Sequence, residues 1–307
     1  MPSPDRPASD RPAPEPIAAP DDGGDARAHG APAPQVSSTL LEHRPTVLGL
    51  ARLSHRTTLS PGEETVYRRI AQLVELDGGD EFLMFPSGRG TASLFLARTA
   101  DAAGSGVDPD AELVAFAAEL AREAGLEGRL HYDVAPGFEL PYKNGVFDLT
   151  IGDVGLAALR QPAAAVKELA RVTRPMGNVA LIQPVWSQQV EPERRGPLIA
   201  HLGVRPFLIM EWKQMLRDAG VVDLKVEDLT DSPGSWQTLL GTGALDLPSV
   251  RERSEMFWRA WRTWGWRGLR RSLAAVHELR HLILRERILG LALIRGTPWQ
   301  DDSKSTR

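Results

Sequence analysis

The sequence predicts an α/β fold, a parallel sheet with helices on both faces, and three observations predict it. From Asp80 onward short apolar runs alternate with helical segments, the pattern of a sheet whose crossover helices cover its faces. Acidic residues and glycines fall at the ends of successive predicted strands, where such sheets bind ligands. The composition, 42% hydrophobic and 25% charged over 307 residues, is enough to fill a sizeable core.

Each element follows from local signals. Thr46 to Leu53 reads as a short helix. Ser60-Pro61-Gly62-Glu63 is a helix start: Ser60 can accept an amide three residues on, Pro61 suits the first helical position and Glu63 can reach back to the cap. That helix presents Val66, Ile70, Leu73 and Val74 on one face and is expected to stop at Gly78-Gly79. Glu81 to Phe85 reads as the first strand, followed by the turn Pro86-Ser87-Gly88-Arg89-Gly90 and a helix from Thr91 to about Ala102. Ser105 to Val107 is the second strand, and Asp108-Pro109-Asp110 opens the next helix. Leu130 to Tyr132 is the third strand, ending at Asp133; Phe147 to Ile151 is the fourth; Pro162 to Val172 is helical; Val179 to Gln183 is the fifth. A helix at Glu211 to Ala219 leads to a sixth strand at Leu224 to Leu229, and Ile288 to Arg295 reads as the last.

Composition also excludes. With no cysteine, a disulfide scaffold, a thiolate zinc site, an iron-sulfur cluster and a cysteine nucleophile are ruled out by inventory. No stretch approaches the roughly 18 apolar residues of a spanning helix, and the N-terminus lacks a signal-peptide pattern, so the expected compartment is cytoplasmic. The net charge of -4 argues against a nucleic-acid coat. Two local biases hide in these averages. Nine of the 24 prolines lie in the first 40 residues, and residues 1 to about 38 read as a disordered tail. Half of the eight tryptophans, Trp258, Trp261, Trp264 and Trp266, fall within nine residues, in a stretch from Arg251 to Arg287 whose ten arginines and four glutamates make it +6.

Chemistry concentrates at the predicted strand ends. Gly88 and Gly90 follow the first strand, where missing side chains would let a ligand approach the backbone and the helix N-terminus at Thr91. Asp108 ends the second strand, where a carboxylate can accept two hydrogen bonds from a ribose diol, and Asp133 ends the third, beside the expected place of an adenine ring. With these positions, FLMFPSGRGTA (82 to 92), GVDPD (106 to 110), LPYKNGVFDLTIGD (140 to 153) and ELARVTRPMGNVAL (168 to 181) resemble the class I S-adenosylmethionine-dependent methyltransferases, of the broad small-molecule type.

The resemblance implies a Rossmann-like sheet with an antiparallel last strand, before which the chain's own Trp/Arg-rich helical stretch reads as an insert. It implies S-adenosyl-L-methionine as cofactor, with Ser87, Gly88 and Gly90 at its methionine end, Asp108 and Pro109 at the ribose, and Asp133 with Val134 at the adenine. Gly152 and Asp153 would face the methyl group and the acceptor, and Asp153 is the candidate catalytic base. Asp148, Arg171 and Pro175 would keep the fold. Two positions depart from the family pattern: Met84 stands where an acidic residue is usual, and Pro86 replaces the first glycine of the turn. They leave a second reading open, a noncatalytic binding or scaffold protein on the same fold.

The implied organisation is a tail at 1–38, N-terminal helices at 39–79, a cofactor-binding core at 80–230, a Trp/Arg-rich helical cap at 231–287, and a last strand with its tail at 288–307. In the cap, Phe257, Trp261 and Trp264 lie at helical spacing, continued by Leu269, Leu273 and Val276, a face expected to pack on the core and roof a small-molecule pocket. Peripheral membrane contact through Trp and Arg at headgroup level is the sharper alternative. Nucleic acid is disfavoured, because the acidic remainder would repel phosphates. His201, His277 and His281 are weaker base candidates. The last two are four apart but lack a third ligand nearby, so no metal is expected.

Overall fold

The computed structural model describes residues 45–53, 63–188, 190–230, 250–281 and 285–299. The expected tail, the Ser60-Pro61-Gly62 cap, residues 231–249 of the cap and the His281 side chain lie outside the described residues. Seven strands form one sheet: β1 (Glu81–Phe85), β2 (Ala103–Asp108), β3 (Leu130–Val134), β4 (Phe147–Gly152), β5 (Thr173–Trp186), β6 (Val221–Asp228) and β7 (Leu289–Pro298). Their order is β3-β2-β1-β4-β5-β7-β6. The first five run parallel, and β7 runs antiparallel to both β5 and β6. The chain leaves β1 toward β2 and β3, then returns to β1's other side for β4, so the topological switch lies between β1 and β4. The expected fold class is the observed one.

Residue choice explains the layers. Phe82, Leu83, Met84 and Phe85 are all fully buried, as an unbroken apolar run must be in a strand covered on both faces. The crossover helices are α3 (Thr91–Ala100), α4 (Ala111–Glu123) and α5 (Pro162–Val172). Asp110 caps α4 by accepting the amides of Glu112 and Leu113, and Pro162 occupies the first turn of α5. On the β6 side, α7 (Ile209–Asp218) buries Trp212 and Leu216.

Three helices pack against one another. α1 (Val47–Leu53) and α6 (Pro192–Leu202) pack together and both support α8 (Val250–His281). Gly203 ends α6 at φ 77°, and a methyl there would sit 2.5 Å from the Thr46 hydroxyl, so glycine lets the start of α1 press against that end. His201 and Arg194 of α6 reach Glu278 and Glu286. The remaining helix, α2 (Glu63–Val74), lies along α3.

Several expectations are adjusted. α2 ends at Val74, before Gly78-Gly79, because Glu75 turns to φ 54° and Leu76 bonds back to Ala71. β5 begins at Thr173 rather than Val179: Thr173 pairs with Phe147 and Asn178 with Leu149, leaving Arg174 to Gly177 bulged opposite Asp148. The sequence reading missed α6, whose Gly196 and Pro197 obscure its periodicity. In α8, Trp261 does not join the packed face. Met256, Ala260, Leu269, Ala275 and Val276 are buried, while Trp258, Trp261 and Trp266 are 52%, 51% and 64% exposed. Gly265, at φ 68° and ψ 179°, breaks the helix between the two halves of that face.

Candidate active site

The turn after β1 is held by β2. The Ser87 amide donates to the Val107 carbonyl at 2.8 Å, and the Gly88 amide donates to Asp108 Oδ2 at 2.9 Å. Asp108 Oδ1 accepts the Asp110 amide at 3.0 Å. The expected ribose acid is therefore fully buried, and each of its oxygens already holds a backbone amide.

The two turn glycines do different work. Around Gly88, at φ 55°, a built methyl meets nothing within 4 Å, so this is the open point of the turn. Gly90, at φ 75°, is enclosed: a methyl there would lie 2.7 Å from the Tyr132 hydroxyl and 2.8 Å from Ala117. Its missing side chain admits Tyr132 rather than a ligand. Burial pushes the Tyr132 phenol up to about 12, offset by a hydrogen bond with Ser93. Met84, in the usual acid's position, is sealed in the core and takes only a long 3.8 Å contact from the Ser93 hydroxyl.

At the next strand end, Asp133 Oδ2 accepts the Tyr142 hydroxyl at 2.7 Å. Tyr142 is buried edge-on to Phe147, 4.9 Å between centroids, and its phenol is pushed up by burial and by the carboxylate. The Leu140-Pro141-Tyr142 step thus orients the candidate adenine acid. Val134 beside it is 54% exposed. Arg171 holds this segment, donating to the carbonyls of Tyr142 and Leu140, to Asn144 Oδ1 and to Glu168.

Asp153 closes β4. Its amide donates to the Phe85 carbonyl at 2.9 Å, Oδ1 accepts the Val154 amide at 2.7 Å, and Oδ2 accepts the Tyr67 hydroxyl at 2.8 Å. Desolvation raises its carboxyl above the ordinary value, while the two hydrogen bonds oppose the shift. Gly152, expected to face the acceptor, is a packing glycine: a methyl there would sit 2.5 Å from Leu181 and 3.0 Å from Leu156.

Sequence reasoning missed two residues here. Tyr67, from α2, is buried and supplies the proton donor to Asp153. The signal was one tyrosine on an otherwise aliphatic helix face. Gln183 on β5 donates from Nε2 to the carbonyls of Gly152 and Asp153, and its buried Oε1 has no hydrogen-bond partner. A lone amide in the apolar run Ala180–Trp186 was the clue. His201 pairs with Glu278 and His277 is exposed; among the described residues no group of three ligating side chains could hold a metal.

Residues 83–181 match the family described as a methyltransferase domain. The ubiquinone/menaquinone biosynthesis C-methyltransferase of Bdellovibrio bacteriovorus is 32% identical over 200 residues, covering 60% of this chain and 83% of that protein. This chain belongs to the class I S-adenosylmethionine-dependent methyltransferases. The methyltransferase is also 25% identical over 188 residues to the 27-O-demethylrifamycin SV methyltransferase of Amycolatopsis mediterranei, covering 58% of this chain and 68% of that one. Its fold is shared with the [4+2]-cyclase SpnF at a TM-score of 0.62 and 23% identity, over 77% and 80% of the two chains.

The turn fits the family's cofactor. Ser87 Oγ is buried without a hydrogen-bond partner among the described residues, Gly88 faces open space, and exposed Val134 follows Asp133 on the strand beside Asp108.

Proposed function

We propose that this methyltransferase uses S-adenosylmethionine to methylate a small, partly apolar acceptor. The observation that carries the reading is the convergence, at the C-terminal ends of β1 to β4, of the unpartnered Ser87 hydroxyl, Asp108, Asp133 and the Asp153–Tyr67 pair. When bound, the cofactor supplies an already activated methyl group, so the protein's task is alignment and water exclusion. Ser87 and the Gly88 backbone hold the methionine end. Asp108 takes the ribose hydroxyls. Asp133, fixed by Tyr142, and Val134 border the adenine. Asp153 holds or accepts a proton at Oδ2, with the Tyr67 hydroxyl stabilising its charged form.

Calorimetry tests the cofactor assignment. The protein should bind S-adenosylmethionine and its demethylated product, and Asp108→Ala should abolish both. Because Asp108 also braces the turn, Ser87→Ala serves as a milder variant expected to weaken binding by roughly tenfold, the worth of one good hydrogen bond. No binding of either ligand to a folded wild type would refute the assignment.

A second reading has its own support. Met84 and Pro86 change the turn, Asp108 is already engaged, and a cyclase shares the fold, so fold alone does not fix the reaction. A noncatalytic descendant predicts no product from any acceptor under conditions of saturating cofactor.

A further inference from the structure

We infer that the exposed face of α8 between Trp258 and Arg271 docks the protein onto an anionic lipid bilayer. The buried face of this helix rests on α1 and α6, so the core does not need the outward tryptophans. Trp258 and Trp261 stand one turn apart and half exposed, with the Arg262 guanidinium 5.3 Å from the Trp258 ring centre. Past the Gly265 break, Trp266 is 64% exposed, followed by exposed Arg267, Arg270 and Arg271.

From 258 to 271 there are five arginines and no acidic residue, a local charge of +5 against -9 for the rest of the chain. Exposed indoles flanked by guanidinium groups match the bilayer interface, where rings enter the acyl boundary and cations meet anionic headgroups. A nucleic acid long enough to wrap the protein would also meet the acidic remainder. Among the described residues no helix is long and apolar enough to cross a membrane, so the contact is peripheral. The inference does not depend on methyl transfer, and its readout needs none.

The test is sedimentation of the 307-residue chain with phosphatidylcholine vesicles, with and without about 30 mol% phosphatidylglycerol. Binding is expected only with the anionic lipid. It should fall at least about tenfold in Trp258→Ser/Trp261→Ser/Trp266→Ser and in Arg262→Gln/Arg267→Gln/Arg270→Gln/Arg271→Gln. Both variants should keep the wild-type thermal midpoint, since none of the seven side chains is buried. Equal binding to neutral vesicles, no binding, or unchanged binding by either variant would overturn the inference. So would a wild-type dimer abolished by the tryptophan variant, which points to a second copy, or competition by single-stranded RNA at equal charge, which points to nucleic acid.

Discussion

Asp153 and Tyr67 are 86 residues apart in sequence and meet through one 2.8 Å hydrogen bond, so their pairing reads directly on pH. The Asp153 carboxyl is raised by desolvation and pulled back by Tyr67 and the Val154 amide. Removing the phenol with Tyr67→Phe should raise it further and move the acidic limb of the rate profile to higher pH, as measured by kcat against pH. The stability sign also follows. Between the ordinary carboxylate value and the raised one, the folded state holds a proton that the unfolded state has lost, so stability falls as pH rises through that window. Asp153→Asn should remove this decline, and urea titrations at several pH values check it.

The two glycines make a second residue-scale contrast. Gly90→Ala forces a methyl against Tyr132 and Ala117 at φ 75°, and should cost about 1–3 kcal/mol, read as a lower thermal midpoint. Gly88→Ala meets no neighbour, so its strain at φ 55° should cost only about 1 kcal/mol, while cofactor affinity drops because the methyl enters the open point of the turn. The sequence shows two similar glycines in one turn. The positions of Tyr132, on the third strand, and Ala117, on α4, separate their roles.

At the scale of elements, Arg171 is the link between α5 and the segment that carries Tyr142. Its guanidinium satisfies two carbonyls and the Asn144 side chain while paired with Glu168, which is itself mostly buried and held below the ordinary carboxylate value by that arginine and the Leu140 amide despite its desolvation. Arg171→Ala should destabilise the protein by about 1–3 kcal/mol. It should also weaken cofactor binding, since Tyr142 would no longer fix Asp133; paired denaturation and calorimetry separate the two effects. The bulge of β5 has a similar logic: Gly177 approaches the Asp148 carbonyl so closely that a methyl would lie 2.8 Å away, and Arg174 bridges Asp148 and Glu81. The strands and crossover helices were legible because burial on both faces imposes unbroken apolar runs such as Phe82 to Phe85. The bulge and α6 were not, since a bulge depends on its partner strand and α6 carries Gly196 and Pro197 in its interior. The strand-end residues Asp108, Asp133 and Asp153 were legible as positions. Their partners Gly88, Tyr142 and Tyr67 come from other elements, and no local pattern in the chain shows which acid each one meets.

At the scale of the whole molecule, the charge average of -4 divides into a +6 stretch at 251–287 and a remainder near -10. α8 packs on α1 and α6, and α6 begins just beyond the end of β5, the same sheet end that carries Asp153. The Arg205 amide, following α6, donates to the Ala157 carbonyl in the short 3-10 turn that Asp153 caps. The cap is thus linked through α6 to the turn that Asp153 caps, while Ser87, Asp108 and Asp133 are braced by β1 to β3 and their own turns. Loosening the cap should therefore affect the acceptor and spare the cofactor. Met256→Asp with Ala260→Asp places two carboxylates on the buried face of α8, where unpaired charge is costly, and should undock it. With an acceptor in hand, its KM should rise by roughly tenfold or more with kcat less affected, the pattern of lost uniform binding, whereas S-adenosylmethionine affinity should stay within about threefold of wild type. Steady-state kinetics and calorimetry on the same preparation check both arms, and an equal loss in the two would mean that the cap braces the cofactor turn as well.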